Sequence, residues 1–369
     1  MKTTQRYLAL DVLRGITIVA MITVNNPGSW AHVYPPLLHS EWNGCTPTDL
    51  VFPFFLFVVG VSMFFSFSKY GNVLNRDSFV RVLKRTVLIF AIGLFLNSFP
   101  QWLKDFSHLR IMGVLQRIAL VYGFASLIVL SVKKNYLPYI LVFILLSYWG
   151  IIFFFGGTDP YSLEGNITIP FDSMIFGADH LYKGFGIPFD PEGLLGTYPA
   201  IGTAVLGYMA GAVIQKTDKD KVPVKLAIWG LVGLVVGFVW GQFFPINKPL
   251  WTSSYVIYAA GWASLVLAIL IWVIDLKSIK KWTSFFVVFG MNPLFIFALS
   301  GLWTISIIRL IKFENGAGEM LNGYSWLYRS VFEPLGGPLN GSLLFALAHV
   351  VFFWVIGYVL YRKKIFIKV

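Results

Sequence analysis

Apolar runs separated by short polar connectors dominate this chain. They fall near 8–24, 47–67, 82–99, 111–131, 136–156, 196–215, 224–244, 251–274, 283–311 and 342–361. Each reaches about the ~20 residues with which an α-helix crosses roughly 30 Å of hydrocarbon. A helix satisfies its backbone donors and acceptors internally, which lets such a run leave water. The pattern predicts an all-α, polytopic integral membrane protein of roughly ten transmembrane helices. The first run follows Lys2 and Arg6 as a signal peptide would. Asp11 and Arg14 interrupt it and no clear cleavage site follows, so it is read as a retained span.

The connectors alternate in charge. One set holds Lys69, Arg76, Arg81, Lys84 and Arg85, then Lys133 and Lys134, then Lys216, Lys219, Lys221 and Lys225. It continues with Lys277, Lys280 and Lys281 and ends with Arg362, Lys363, Lys364 and Lys368. The other set holds only Lys104, Arg110, Lys183, Lys248, Lys312 and Arg329. With an even number of spans, the positive-inside rule places the first set and both termini in the cytoplasm. The longest outside connections are 28–46, 157–195 and 312–341, and long loops in compact proteins tend to be functional. Without heptads, a solenoid period or a stretch of soluble composition, residues 1–369 read as one transmembrane domain.

Composition agrees. Charged residues make up 12% of the chain, about half of the ~25% of soluble domains. With 57% hydrophobic and 18% aromatic residues and a mean hydropathy of +0.72, a soluble fold would lack a polar shell. The net charge of +12 lies in clusters between spans, so nucleic acid is not an expected partner. Cys45 is the only cysteine, which excludes an internal disulfide and a Cys-rich metal site.

Several polar residues suit chemistry. Loop 28–46 has no Lys or Arg but contains His32, His39, Glu41, Trp42 and Asn43. Imidazole is matched to proton transfer near neutral pH, and His39 lies just before the second span. An exposed loop histidine is the plain alternative. Asn25 and Asn26 end the first span, where they could cap the helix or offer an amide to an oxyanion. Thr46-Pro47-Thr48-Asp49 reads as a helix start with Asp49 in the capping position, which leaves it able to orient His39 as well.

Arg117 lies inside the fourth span, where an arginine is costly unless paired or wetted, and Arg110 precedes it by seven residues. Either could neutralise an anion such as a cofactor pyrophosphate, or form an internal ion pair. Asp11 and Arg14 are spaced to pair with each other. Asp179, His180, Asp190 and Glu192 form an acidic cluster suited to an amine-bearing acceptor, although turn chemistry also explains them. The histidines lack metal-ligand spacing, so no metal site is expected. Nothing near Cys45 marks it as a nucleophile.

Several blocks carry a resemblance. Leu10-Asp11-Val12-Leu13-Arg14-Gly15, Val24-Asn25, His39-Ser40-Glu41-Trp42-Asn43-Gly44 and Asp49-Leu50-Val51-Phe52-Pro53 open the series. Gly113-Val114-Leu115-Gln116-Arg117, Asp179-His180-Leu181-Tyr182 and the run from Asp190 to Thr197 continue it. Pro245-Ile246-Asn247-Lys248, Gly290-Met291-Asn292 and Tyr361-Arg362-Lys363-Lys364 close it. In this order they resemble the heparan-α-glucosaminide N-acetyltransferase family.

The resemblance implies a transmembrane acyltransferase that moves acetyl from cytosolic acetyl-CoA to the amine of a glucosamine-type sugar on the extracytoplasmic side. It implies His39 as general base or acyl acceptor, with Asn25 (or Asn26) and Asp49 beside it. Arg117, Arg110 and Asn292 become expected donor contacts. Trp42, Asn43, Asp179, His180, Asp190, Glu192 and Lys248 become expected acceptor contacts. A homodimer in a bacterial cytoplasmic membrane is implied as well. The competing reading is an amino-sugar transporter. Pro53 and Asn292-Pro293 interrupt spans as in transporters, but the two matching halves common in transporters are not evident.

Overall fold

The computed structural model describes residues 7–68, 71–100, 106–314, 318 and 320–367. Lys2, Arg6, Lys69, Lys104 and Lys368 of the charge pattern lie outside them. The long helices are α1 (Leu8–Asn25), α2 (Pro47–Ser68), α3 (Arg76–Ser98), α4 (Val114–Ser131) and α5 (Leu137–Phe155). After the short α6 (Thr168–Phe176) come α7 (Leu194–Lys216), α8 (Val222–Trp240) and α9 (Ser253–Leu270). α10 (Thr283–Met291), α11 (Pro293–Arg309), α12 (Gly323–Leu327) and α13 (Glu333–Arg362) complete the helices.

Among the described residues, eight helical stretches are long and apolar enough to cross a membrane, and nine if α10 and α11 count as one span bent by 82°. The tenth expected run, 82–99, is helical as α3. Every 18-residue stretch of α3 contains Arg81, Lys84 and Arg85, which keeps it outside that set. The expected break at Asn292-Pro293 is real, because Pro293 begins a new helix. Pro53 differs: it lies inside α2, which continues to Ser68.

Two expected loops contain structure. Loop 157–195 holds α6 and a helical turn, Ala178–His180. Region 312–341 begins with a small antiparallel hairpin, β1 (Lys312–Glu314) on β2 (Met320–Asn322), with Lys312 opposite Asn322. From Gly323 the chain is helical into the last span, interrupted at Gly337 with φ +73°.

Close backbone approach holds the bundle together, as expected where lipid removes the hydrophobic drive between helices. α2 and α7 show this best. A Cβ on Gly60 would lie 2.0 Å from the Ala204 oxygen, and one on Gly207 2.0 Å from the Phe57 oxygen. Only glycine allows that contact. α7 is the most buried span, whereas α5 and α8 turn exposed apolar faces outward, including Phe143 and Val232. The Lys-rich connectors gather at one end: the Leu74 amide donates to Leu130 O, and the Tyr208 hydroxyl of α7 to Asn72.

Candidate active site

At the other end, Asp49 organises the loop that carries His39. Its Oδ2 accepts the Ser40 and Thr46 amides, both at 3.0 Å, and lies 3.1 Å from Thr46 Oγ1. Its Oδ1 lies 2.7 Å from His39 Nδ1. Asp49 thus caps α2 and orients His39 at once, two roles the sequence left open. Pro53 has a part in this. It has no N–H to donate four residues back, and the Asp49 carbonyl instead accepts the Tyr255 hydroxyl of α9 at 2.6 Å. The Asp49 side chain is 1% exposed and that of His39 46%. The carboxylate is hidden while the imidazole is open to a ligand.

Lys248 arrives from the connection between α8 and α9. Its Nζ is 3.0 Å from His39 Nδ1, 3.3 Å from Nε2 and 3.6 Å from Asp49 Oδ1. Burial draws this ammonium below the usual lysine range, and Asp49 only partly offsets that. Buried Asn247 fixes the connection. Its Nδ2 donates to Trp42 O at 3.0 Å and to Asn43 Oδ1 at 3.2 Å, while its Oδ1 accepts the Leu250 amide. The Gly44 amide donates to Ile246 O at 2.7 Å. The two loops are laced together, and Asn43 serves that lacing. The Trp42 indole donates to Tyr161 O and packs edge-on against Phe185 and Phe189.

Arg110, Asp190 and Glu192, expected as ligand contacts, are brought together with one another. Arg110 makes two hydrogen bonds to Asp190, at 2.9 and 2.7 Å, and one to Glu192 at 2.6 Å. Burial works against the Arg110 charge, but these carboxylates outweigh it and raise its pKa above the usual arginine value. Its guanidinium also covers the Tyr182 ring. Glu192 is still near enough for its charge to act on Lys248.

Arg117 is fully buried and makes no direct ion pair among the described residues. Its guanidinium donates to Gly193 O at 3.1 Å and Thr197 Oγ1 at 3.3 Å and stacks over Trp251. One terminal nitrogen, Nη1, has no hydrogen-bond partner among the described residues.

Other expected site residues are placed elsewhere. Asn25 is exposed at the end of α1. Buried Asn26 donates to Ile22 O and accepts the Thr304 hydroxyl at 2.6 Å. His180 uses Nδ1 on Leu109 O, and Asp179 pairs on the surface with Lys183. Asn292 binds Ile365 O and the Ile367 amide near the chain's C-terminal end, away from His39. Burial, then Asp49, push the Cys45 thiol up to about 12, against the pull of Lys248, so it is a poor nucleophile.

The Lys-rich end holds a second polar feature. A cavity of about 630 Å³ between α2, α3 and the α10–α11 break is lined by Arg14, Ser62, Ser66, Arg81, Lys84 and Arg85, among others. Arg14 bonds Asp11, Ser62 Oγ and Gly290 O, so the expected Asp11–Arg14 pair forms. Arg85 stacks over Tyr122, and its buried Nε has no hydrogen-bond partner among the described residues. A polyanion is the complement of such a lining.

Asn247, Tyr255 and Arg85 join these sites without a sequence signal that marks them as site residues. Asn247 lies in the run Pro245-Ile246-Asn247-Lys248, where nothing local marks its role. The need for Tyr255 follows from Pro53, which orphans one carbonyl, but which hydroxyl fills it is a matter of packing.

Residues 6–176 match the family described as heparan-alpha-glucosaminide N-acetyltransferase, catalytic. The chain is 28% identical to human heparan-alpha-glucosaminide N-acetyltransferase over 427 aligned residues, covering 99% of this chain and 60% of the human protein. It is 27% identical to the mouse protein over 431 residues, covering 100% of this chain and 61% of that one. It therefore spans only about three-fifths of the length of these relatives. The chain is thus similar over residues 6–176 to the heparan-alpha-glucosaminide N-acetyltransferase catalytic family, and along nearly its whole length to these two N-acetyltransferases.

Proposed function

We propose that this protein is a membrane acyltransferase that moves an acetyl group from acetyl-CoA to the amine of a glucosamine-type sugar held at His39. The observation that carries this reading is the 2.7 Å contact between His39 Nδ1 and buried Asp49, with Lys248 against the same ring. With Asp49 accepting Nδ1–H, the imidazole keeps its lone pair on Nε2. Nε2 takes the proton as the amine nitrogen attacks the acetyl carbonyl. The C–S bond then breaks, and the imidazolium returns the proton to the leaving thiolate. General-base action of this kind contributes typically 10²–10⁴ in rate. The same lone pair can accept the acetyl group first, as acetyl-imidazole, before the amine takes it. Lys248 supplies positive charge beside the carbonyl oxygen as negative charge builds there.

The cationic cavity at the opposite end supports the donor assignment, since Arg81, Lys84 and Arg85 suit the phosphates of a CoA nucleotide. Asp49 and the cavity's Ser62 lie thirteen residues apart on α2, roughly 20 Å at 1.5 Å per residue. A donor with its nucleotide in the cavity would lay its long arm along that helix. By the positive-inside rule, the cavity end faces the cytoplasm and His39 the far side of a bacterial cytoplasmic membrane.

The test is purified protein with labelled acetyl-CoA and a panel of amino sugars, with His39→Ala alongside. Acetylated amino sugar from the wild type and a loss on the order of 10² or more in the variant are expected. Near wild-type transfer by a folded His39→Ala protein would overturn the assignment. Amino-sugar uptake into vesicles without acetylation would make the protein a transporter.

A further inference from the structure

A second cationic site lies at the Lys-rich end, on the outside of the bundle rather than within it. Lys134, Lys216 and Lys225 converge on a cleft of about 500 Å³ whose lining also includes Tyr208, Met209 and Trp229. α7 forms the floor, and the first turns of α5 and α8 form the walls. Among the described residues, no carboxylate lines the cleft. Asp218, the nearest acid in sequence to Lys216, is engaged with Lys221 at 3.2 Å. Lys134 lies over the Phe64 ring of α2 at 4.9 Å, and Lys216 is near enough to act on it as a like charge. Gathering three ammonium groups without an acid is unfavourable unless an anion joins them.

The surroundings indicate what kind of anion. The walls are among the least-buried spans, and both expose apolar residues along their length. Phe143 on α5 and Val232 on α8 are more than half exposed, so these surfaces meet lipid chains rather than water. Trp229 stands at the cleft as an interfacial anchor would. Cations at the end of a lipid-facing cleft complement a molecule with a phosphate head and apolar tails. We infer that the cleft between α5 and α8 binds an anionic glycerophospholipid, with its phosphate on Lys134, Lys216 and Lys225 and its acyl chains along the two helices.

Delipidated full-length protein in detergent is titrated separately with short-chain phosphatidylglycerol, with phosphatidylcholine of equal chain length and with inorganic phosphate. Native mass spectrometry reads the bound molecules. Phosphatidylglycerol is expected to bind roughly tenfold or more tighter than phosphatidylcholine. Joint replacement of Lys134, Lys216 and Lys225 by Gln removes that preference, and joint replacement by Arg keeps it. Lys225→Gln alone, a change at an exposed position, weakens it severalfold and covers the case in which the triple variant does not fold. Equal binding of the two lipids, or a preference unchanged by the Gln substitutions, overturns the proposal. Inorganic phosphate competing as well as the lipid does so too, by making this a free-anion site. A dimer that buries the cleft and excludes lipid overturns it equally.

Discussion

Lys248 Nζ stands almost equally far from the two ring nitrogens of His39, at 3.0 and 3.3 Å. A donor aligned with one lone pair of an imidazole would be much farther from the other nitrogen. The ammonium therefore lies over the ring, towards the carbon between the nitrogens, and consumes neither lone pair. Asp49 is left to orient the ring, while Lys248 contributes charge to whatever approaches it.

That division separates two substitutions. Lys248→Met is expected to lower kcat by on the order of 10²–10³, as loss of one oxyanion-stabilising donor does, with a smaller change in KM. Lys248→Arg restores part of it. A variant that raises KM and leaves kcat intact would make Lys248 an acceptor-holding residue instead, and steady-state kinetics with acetyl-CoA and glucosamine decide between them.

Asp49→Asn and Asp49→Ala are expected to differ in stability and agree in activity. Asn keeps an oxygen for the Ser40 and Thr46 amides but cannot accept Nδ1–H while doing so. Ala orphans both amides and costs a further ~1–3 kcal/mol. Thermal unfolding in detergent should rank wild type above Asn and Asn above Ala, with transfer lost in both variants.

Cys45 should resist alkylation in the folded protein. A thiol pushed from 9.0 up to about 12 holds on the order of 10³ less thiolate at pH 8 than an ordinary one. Iodoacetamide labelling followed by mass spectrometry should be slow in the native state and fast after denaturation. Rapid native labelling would contradict the burial of this thiol beside Asp49.

Asp172 makes a pH prediction. Burial pushes its carboxyl from 3.8 up to about 7, against the Leu195 amide, Arg117 and the Leu194 amide. Between those values the folded state binds more proton than the unfolded one. Its contribution to stability is therefore full below about pH 4 and is lost as pH rises towards 7, by at most about 1.4 kcal/mol per pH unit. Asp172→Asn should flatten that part of the profile, and identical slopes in the two proteins would refute the assignment.

Much of the membrane architecture was legible because lipid reads hydropathy segment by segment. The runs from 8–24 to 342–361 appear as helices, and Asn292-Pro293 breaks its span because proline lacks an N–H. The run 82–99 is helical as α3, and Arg81, Lys84 and Arg85 in its first half are what set it apart from the more uniformly apolar spans. The hairpin and the helical start of 323–341 are not legible in the sequence, where Gly and Pro are loop signals.

At the candidate site, the local part could be read and the distant part could not. Asp49 as a helix cap follows from the Thr46-Pro47-Thr48-Asp49 run, and its place ten residues after His39 left open the contact that the structure shows. The sequence by itself determined a polytopic helical membrane protein and a capped second span beside an accessible histidine. Only the tertiary structure decided that Lys248, 209 residues from His39, joins that ring, and that Asp190 and Glu192 occupy Arg110. The reason is physical. Hydropathy assigns a segment to lipid, whereas the pairing of buried charges depends on which helices touch, and here close backbone contacts such as Gly60 on Ala204 choose the neighbours.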